Sequence, residues 1–237
     1  MIEVTGHRGA RDLFPENTLA GFALARDLGC HAVELDVHRT RDGRLAVIHD
    51  PTLDRTTNGS GPVADHTFLE LSRYDAGEGE RIPSLEDVLE LLRPTPMTIQ
   101  VELKAPGTEE LAPQVVQRLK MVDRVRFTSF FHRRLLDVRR VLPEATTGAL
   151  TDTNPADPMH MLRSAGATTL HVKHPRLDEW LVDVLHRNGR RIVAMGKVVD
   201  QATVDRLVAL NVDVIGTDRP DVVIERLKHH HRYRRPE

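Results

Sequence analysis

Val33-Glu34-Leu35-Asp36-Val37-His38, then Arg41-Asp42-Gly43, then Leu45-Ala46-Val47-Ile48-His49-Asp50, is the run that decides how this chain folds. It reads as two short strands joined by a tight turn. Strand side chains alternate faces, so Glu34 and Asp36 project to one side and Val33, Leu35 and Val37 to the other. A single Glu-x-Asp most often marks a solvated acidic face. A buried carboxylate pair, by contrast, is costly unless it is paired or bound to a cation. The functional alternative is therefore a divalent metal site, and the rest of the chain has to decide. Asp42-Gly43 between two strands signals a hairpin, so the second strand returns antiparallel to the first. His38 follows the alternation one step beyond Asp36 and reads as a surface-rim histidine.

Outward from this run, strands and helices alternate. Setting the hairpin strand aside, eight strands are expected, centred on Val4, Leu35, Val101, Phe127, Gly148, Leu170, Val193 and Ile215. Helical patterns separate them, with stops such as Gly29, Gly166 and Gly189. Alternating strand and helix predicts a parallel sheet. Eight repeats over 237 residues predict an α/β fold of the (β/α)8 TIM-barrel type, with one short extra hairpin strand. An open doubly wound sheet is the alternative, but no G-x-G-x-x-G follows the first strand to support it. Residues 1–228 are expected to form one domain. Residues 50–83 form a small insertion with little periodicity, and such long excursions are usually functional or disordered. Residues 229–237, with His229, His230 and His231, read as a basic, disordered tail.

Composition sets the class. Hydrophobic residues make up 40% and charged residues 29% of the chain, which is ordinary for a globular protein. A net charge of −2 leaves no bulk electrostatic footprint for nucleic acid or a membrane surface. No apolar run approaches the length of a membrane span, so no stable membrane insertion is expected. Cys30 is the only cysteine, which rules out an internal disulfide and fits a cytoplasmic location. It reads as a small buried hydrophobe. Composition leaves the oligomeric state open.

In a barrel the chemistry gathers at the C-terminal strand ends. His7 and Arg8 end the first strand, Glu34 and Asp36 lie late in the second, and Glu102 and Lys104 end the third. Three carboxylates at one mouth suit a hard cation, Mg²⁺ or Ca²⁺. His7 and His49 suit acid/base work near neutral pH, although the depth of His49 on its returning strand is not fixed by sequence. Arg8 and Lys104 suit an anionic substrate, most simply a phosphate. Together these groups point to phosphate-ester cleavage.

The motifs resemble the glycerophosphodiester phosphodiesterase family. The matching text is Gly6-His7-Arg8-Gly9-Ala10, Pro15-Glu16-Asn17-Thr18, Glu34-Leu35-Asp36-Val37, Thr40-Arg41-Asp42-Gly43 and Ile48–Gly59. Further on come Ile82-Pro83-Ser84-Leu85-Glu86, Glu102-Leu103-Lys104, Ser129-Phe130 and Thr217-Asp218-Arg219-Pro220. The resemblance implies a barrel with His7 and His49 as the acid/base pair. It also implies one divalent ion on Glu34, Asp36 and Glu102, with Arg8 and Lys104 at the phosphate. The implied reaction hydrolyses a glycerophosphodiester to glycerol 3-phosphate and an alcohol through a cyclic phosphate. Asn17 reads as a helix cap, and Phe130, His171, Lys173 and Lys197 as candidates for the substrate rim. One departure stands out. Where many relatives carry a tryptophan on the seventh strand, this chain has Gly196, followed by Lys197. That change, with the short insertion, predicts an open mouth. It motivates a lysophospholipase D-type activity as an alternative on the same barrel. A barrel that binds phosphodiesters without turnover is a third alternative, and the intact constellation argues against it.

Overall fold

The computed structural model describes residues 1–236. Its elements follow the expected alternation: β1 (Glu3–His7), α1 (Leu19–Leu28), β2 (Ala32–Arg39), β3 (Leu45–Val47), α2 (Phe68–Leu71), α3 (Leu85–Leu92), β4 (Thr98–Leu103), α4 (Thr108–Arg118), β5 (Val125–Ser129), α5 (His132–Val141), β6 (Thr146–Thr151), α6 (Pro158–Ala165), β7 (Thr169–Lys173), α7 (Glu179–Arg187), β8 (Arg191–Met195), α8 (Gln201–Ala209), β9 (Val214–Thr217) and α9 (Pro220–Leu227). β1 pairs in parallel with both β2 and β9, which closes eight parallel strands into a barrel. β3 is the ninth strand and lies antiparallel on β2 outside the barrel, as the Asp-Gly turn requires.

The outward faces of the strands are aliphatic. Val33, Leu35 and Val37 of β2 and Ile99, Val101 and Leu103 of β4 are fully buried under the helices. Several helices begin on side-chain caps: Thr18, Ser84, Asp157, Asp178 and Asp200 each accept from a backbone N–H in the first turn. The inward faces differ. Thr5, Gln100, Thr128, Thr169 and His171 are buried inside the barrel, and Gln100 donates to Thr5 at 3.3 Å. The barrel core is thus polar where it approaches the mouth.

Residues 50–83 are ordered around a small apolar cluster of their own, with Leu53, Val63, Phe68, Leu71 and Ile82 packed on Ala46 and Ile48. The tail also departs from expectation. Residues 229–236 are packed against the barrel end where β1 and β2 begin. The backbone N–H of Ile2 donates to the Arg232 carbonyl at 2.6 Å, and His31 Nε2 donates to the Arg234 carbonyl at 2.7 Å. Tyr233 joins the core, edge-on to His31 with ring centroids 5.5 Å apart. Composition missed this because one aromatic anchor outweighs a run of basic neighbours.

The Tyr233 hydroxyl is buried without a hydrogen-bond partner. Tyr233→Phe is therefore expected to match or exceed wild-type stability by about 1 kcal/mol. Tyr233→Ala should cost about 3 kcal/mol. Urea unfolding of the two variants checks the pair.

Candidate active site

Strand register builds the site. His7 of β1 lies beside Glu34 of β2, and Asp36 of β2 beside Glu102 of β4. Ligand atoms of Glu34, Asp36 and Glu102 all lie within 4.8 Å of one another. The carboxylates are held from behind by cations. Arg8 Nε stands 3.3 Å from Asp36, and the Arg8 backbone N–H donates to Glu34 at 3.1 Å. Lys104 Nζ stands 3.0 Å from Glu102 and 3.6 Å from Asp36. Arg8 reaches this position through a left-handed backbone, φ 51°, followed by Gly9 at φ 88°. A Cβ on Gly9 would meet the Gly21 backbone at 2.7 Å, so the turn after β1 needs glycine there.

The return strand brings His49 into the same space. Ile48 N–H donates to the Asp36 carbonyl at 3.0 Å, which sets the depth that sequence left open. Each histidine is held at Nδ1 by a carboxylate: His7 by Asp218 at 2.6 Å and His49 by Asp50 at 2.5 Å. A carboxylate acceptor fixes the Nδ1–H tautomer, so Nε2 is the nitrogen each ring leaves without a proton. Nε2 of His7 lies 3.8 Å from Glu34, and Nε2 of His49 lies 3.1 Å from Lys104 Nζ.

Protonation follows from crowding. Burial, reinforced by Asp36 and Glu102, pushes Glu34 well above the usual carboxylate range. Burial, then the Asp36 charge, raises Glu102 to about 7. Burial would raise Asp36 as well, but Arg8 and Lys104 hold it low and ionised. One Asp36 oxygen, Oδ1, is buried without a hydrogen-bond partner. An orphaned carboxylate oxygen facing two further carboxylates is a donor set that fits a hard divalent ion. Burial lowers the His49 pKa, with Arg8 and Lys104 adding to the effect.

These groups line one cavity of about 270 Å³. His7, Arg8, Glu34, His49, Glu102 and Lys104 are among its lining residues. Phe130, Leu150, Val193 and Met195 add apolar lining on the β5–β8 side, interspersed with Asp152, His171 and Lys173. No residue of 50–83 lines the cavity, so the insertion flanks the mouth without roofing it.

The rim candidates separate. Phe130 lines the cavity and is 40% exposed. Lys173 lines it too, paired with Asp152 at 2.8 Å. His171 also lines the cavity, but from below the rim. It is buried in the barrel interior, bonded to Thr169 at 3.0 Å, and burial pushes its pKa down to about 3. Lys197 is exposed and does not line the cavity. His38 is buried rather than at the rim, and its Nε2 donates to the His49 carbonyl at 3.0 Å. Asn17 does not cap α1, a task that falls to Thr18; its amide donates to Asp36 at 3.0 Å. Cys30 is buried with its thiol pushed up to about 12 by burial, as a small core residue. Asp50, Asn17 and Glu16 are neighbours of the triad and histidines that strand-end logic passed over, and their place inside the quoted motifs was their only signal; Asp218 follows β9 directly, so its strand-end position marked it as well.

Residues 7–222 match the glycerophosphoryl diester phosphodiesterase family. The chain belongs to that family. A glycerophosphodiester phosphodiesterase of Caldanaerobacter subterraneus subsp. tengcongensis is 36% identical over 233 residues, spanning 93% of this chain and 96% of the relative. An Oleispira antarctica phosphodiesterase, solved in complex with its product sn-glycerol-3-phosphate, superposes with a TM-score of 0.88 at 28% identity, covering 95% of this chain and 96% of that one. A glycerophosphodiester phosphodiesterase from Agrobacterium tumefaciens superposes at 0.83 with 30% identity, covering 95% and 100%. Family membership makes the chain a phosphoric diester hydrolase on a TIM barrel, with an acidic triad able to bind a metal ion. Among the described residues no helix is long and apolar enough to cross a membrane.

Raised carboxylate pKa values have a stability consequence. A group whose folded pKa lies above its unfolded one stabilises the fold at low pH, and that contribution is lost as pH rises through the folded value. Glu102, at about 7 against an ordinary 4.5, should make the chelated protein lose stability between those pH values. Saturating Mg²⁺ or Ca²⁺ should flatten this fall, and so should Glu102→Gln. Melting temperatures across the pH range, with and without EDTA, check both.

Proposed function

We propose that this chain hydrolyses glycerophosphodiesters to glycerol 3-phosphate and an alcohol, in two steps through a cyclic phosphate. The observation that carries this reading is the pair of His–Asp dyads, His7–Asp218 and His49–Asp50, facing one cavity beside the carboxylate triad. Asp218 and Asp50 orient the rings and stabilise each imidazolium that forms. One Nε2 takes the proton of the attacking glycerol hydroxyl, and the other delivers a proton to the departing alkoxide oxygen. The P–O bond to glycerol closes as the P–O bond to the alcohol breaks. In the second step the roles reverse, and water opens the ring. Arg8 and Lys104 face the phosphate oxygens and offset their charge. Glu34, Asp36 and Glu102 would hold a divalent ion, Mg²⁺ or Ca²⁺, whose charge would lower the pKa of the attacking hydroxyl. The product named for the Oleispira relative supports the glycerol side of this reading.

A second reading concerns the leaving alcohol. Phe130, Leu150, Val193 and Met195 add apolar lining to the cavity. Gly196 lines it at φ 113°, a backbone state in which a tryptophan would be strained. This lining favours an alcohol with apolar character, as in lysophospholipase D-type substrates.

His7→Ala and His49→Ala should each lower kcat by about 10²–10⁴-fold. Turnover of either variant at the wild-type rate would sink the mechanism. EDTA should abolish activity, and Mg²⁺ or Ca²⁺ should restore it. Competing glycerophosphocholine against a lysophospholipid decides between the two leaving groups.

A further inference from the structure

Arg55 belongs to the 50–83 excursion and does not line the cavity. Its side chain is 45% exposed. Yet its guanidinium makes four short contacts with two carboxylates. Nε and Nη2 donate to Asp50 at 2.6 and 3.1 Å, and Nη1 and Nη2 donate to Glu16 at 3.0 and 2.7 Å. Neither carboxylate ends there. Asp50 Oδ1 also accepts from His49 Nδ1, and Glu16 Oε1 also accepts from Arg8 Nη1 at 2.9 Å. The result is one continuous chain of charge-assisted bonds: His49, Asp50, Arg55, Glu16, Arg8.

Exposed ion pairs contribute little on average, and bidentate networks such as this one contribute more, but the ends of this network are two side chains of the cavity. Only arginine offers a planar fork that can hold two carboxylates at once. What Arg55 holds, in each direction, is a carboxylate that orients a side chain of the cavity. Asp50 and Glu16 sit on different segments, one after β3 and one before α1, and Arg55 fixes their separation.

We infer that Arg55 is a positioning residue. Through Asp50 it orients His49, and through Glu16 it orients Arg8, so that the acid/base group and the phosphate clamp keep one relative geometry. This rests on the roles proposed above for His49 and Arg8. The excursion then has a catalytic task, although none of its residues lines the cavity.

The test is a set of double-mutant cycles on the full chain with sn-glycero-3-phosphocholine and saturating Mg²⁺. Arg55→Gln should lower kcat by about 10–100-fold and raise KM, while the melting temperature stays close to wild type. On an Asp50→Ala background the same substitution should leave kcat at the Asp50→Ala value. On a Glu16→Ala background it should leave KM at the Glu16→Ala value. Losses that multiply instead would overturn the inference, because Arg55 would then act on its own. Activity of Arg55→Gln within twofold of wild type would also overturn it. Arg55→Lys provides a second variant should the glutamine form fold poorly. It keeps the charge but lacks the fork, so it should remain impaired, and wild-type kinetics there would refute the bridging role. Wild-type protein that failed to turn over the substrate would instead refute the proposed function, and the inference with it.

Discussion

Three carboxylates share one small space in this barrel, and that crowding governs the site. Like charges a few ångströms apart repel by roughly 3–4 kcal/mol per pair at the effective dielectric of a protein. The fold answers with cations set from two directions, Arg8 from the turn after β1 and Lys104 from the end of β4. Asp36 stays ionised between them, while Glu34 and Glu102 are left short of charge compensation. The left-handed backbone at Arg8, the amide of Asn17 and the short reach of Lys104 all serve the same electrostatic need.

The two histidines inherit their geometry from the same frame. Each is anchored by an aspartate at Nδ1 and presents Nε2 to the cavity, but the anchors come from opposite directions in the chain. Asp50 is the next residue after His49. Asp218 lies 211 residues from His7 and reaches it because β9 pairs with β1. One dyad is thus a local feature of the hairpin, and the other a product of barrel closure.

This difference explains what could be read from sequence. The alternation of Glu34 and Asp36 with Val33, Leu35 and Val37, the Asp-Gly hairpin and the count of eight strands are local patterns, and local patterns survive in text. The barrel, the extra strand and the convergence of His7, His49, Glu34, Asp36 and Glu102 followed from them. What stayed hidden depends on the third dimension. His38 turns inward because a backbone carbonyl awaits it. His171 sits below the rim because its position along β7 is deeper than its place near the strand end implies. The tail docks because Tyr233 finds the core near His31, a neighbour some 200 residues away in the chain.

The pairing of β9 with β1 also sets an order in time. On a chain that emerges N-terminus first, the acidic triad and both histidines are present by the time β4 is made. The aspartate that orients His7 follows β9, the last strand of the barrel. Until that strand docks against β1, the first histidine has no anchor and the barrel has an open edge. The complete site therefore arrives only with completion of the fold, and a nascent chain carries the acidic triad and the His49–Asp50 pair before the His7–Asp218 pair can form.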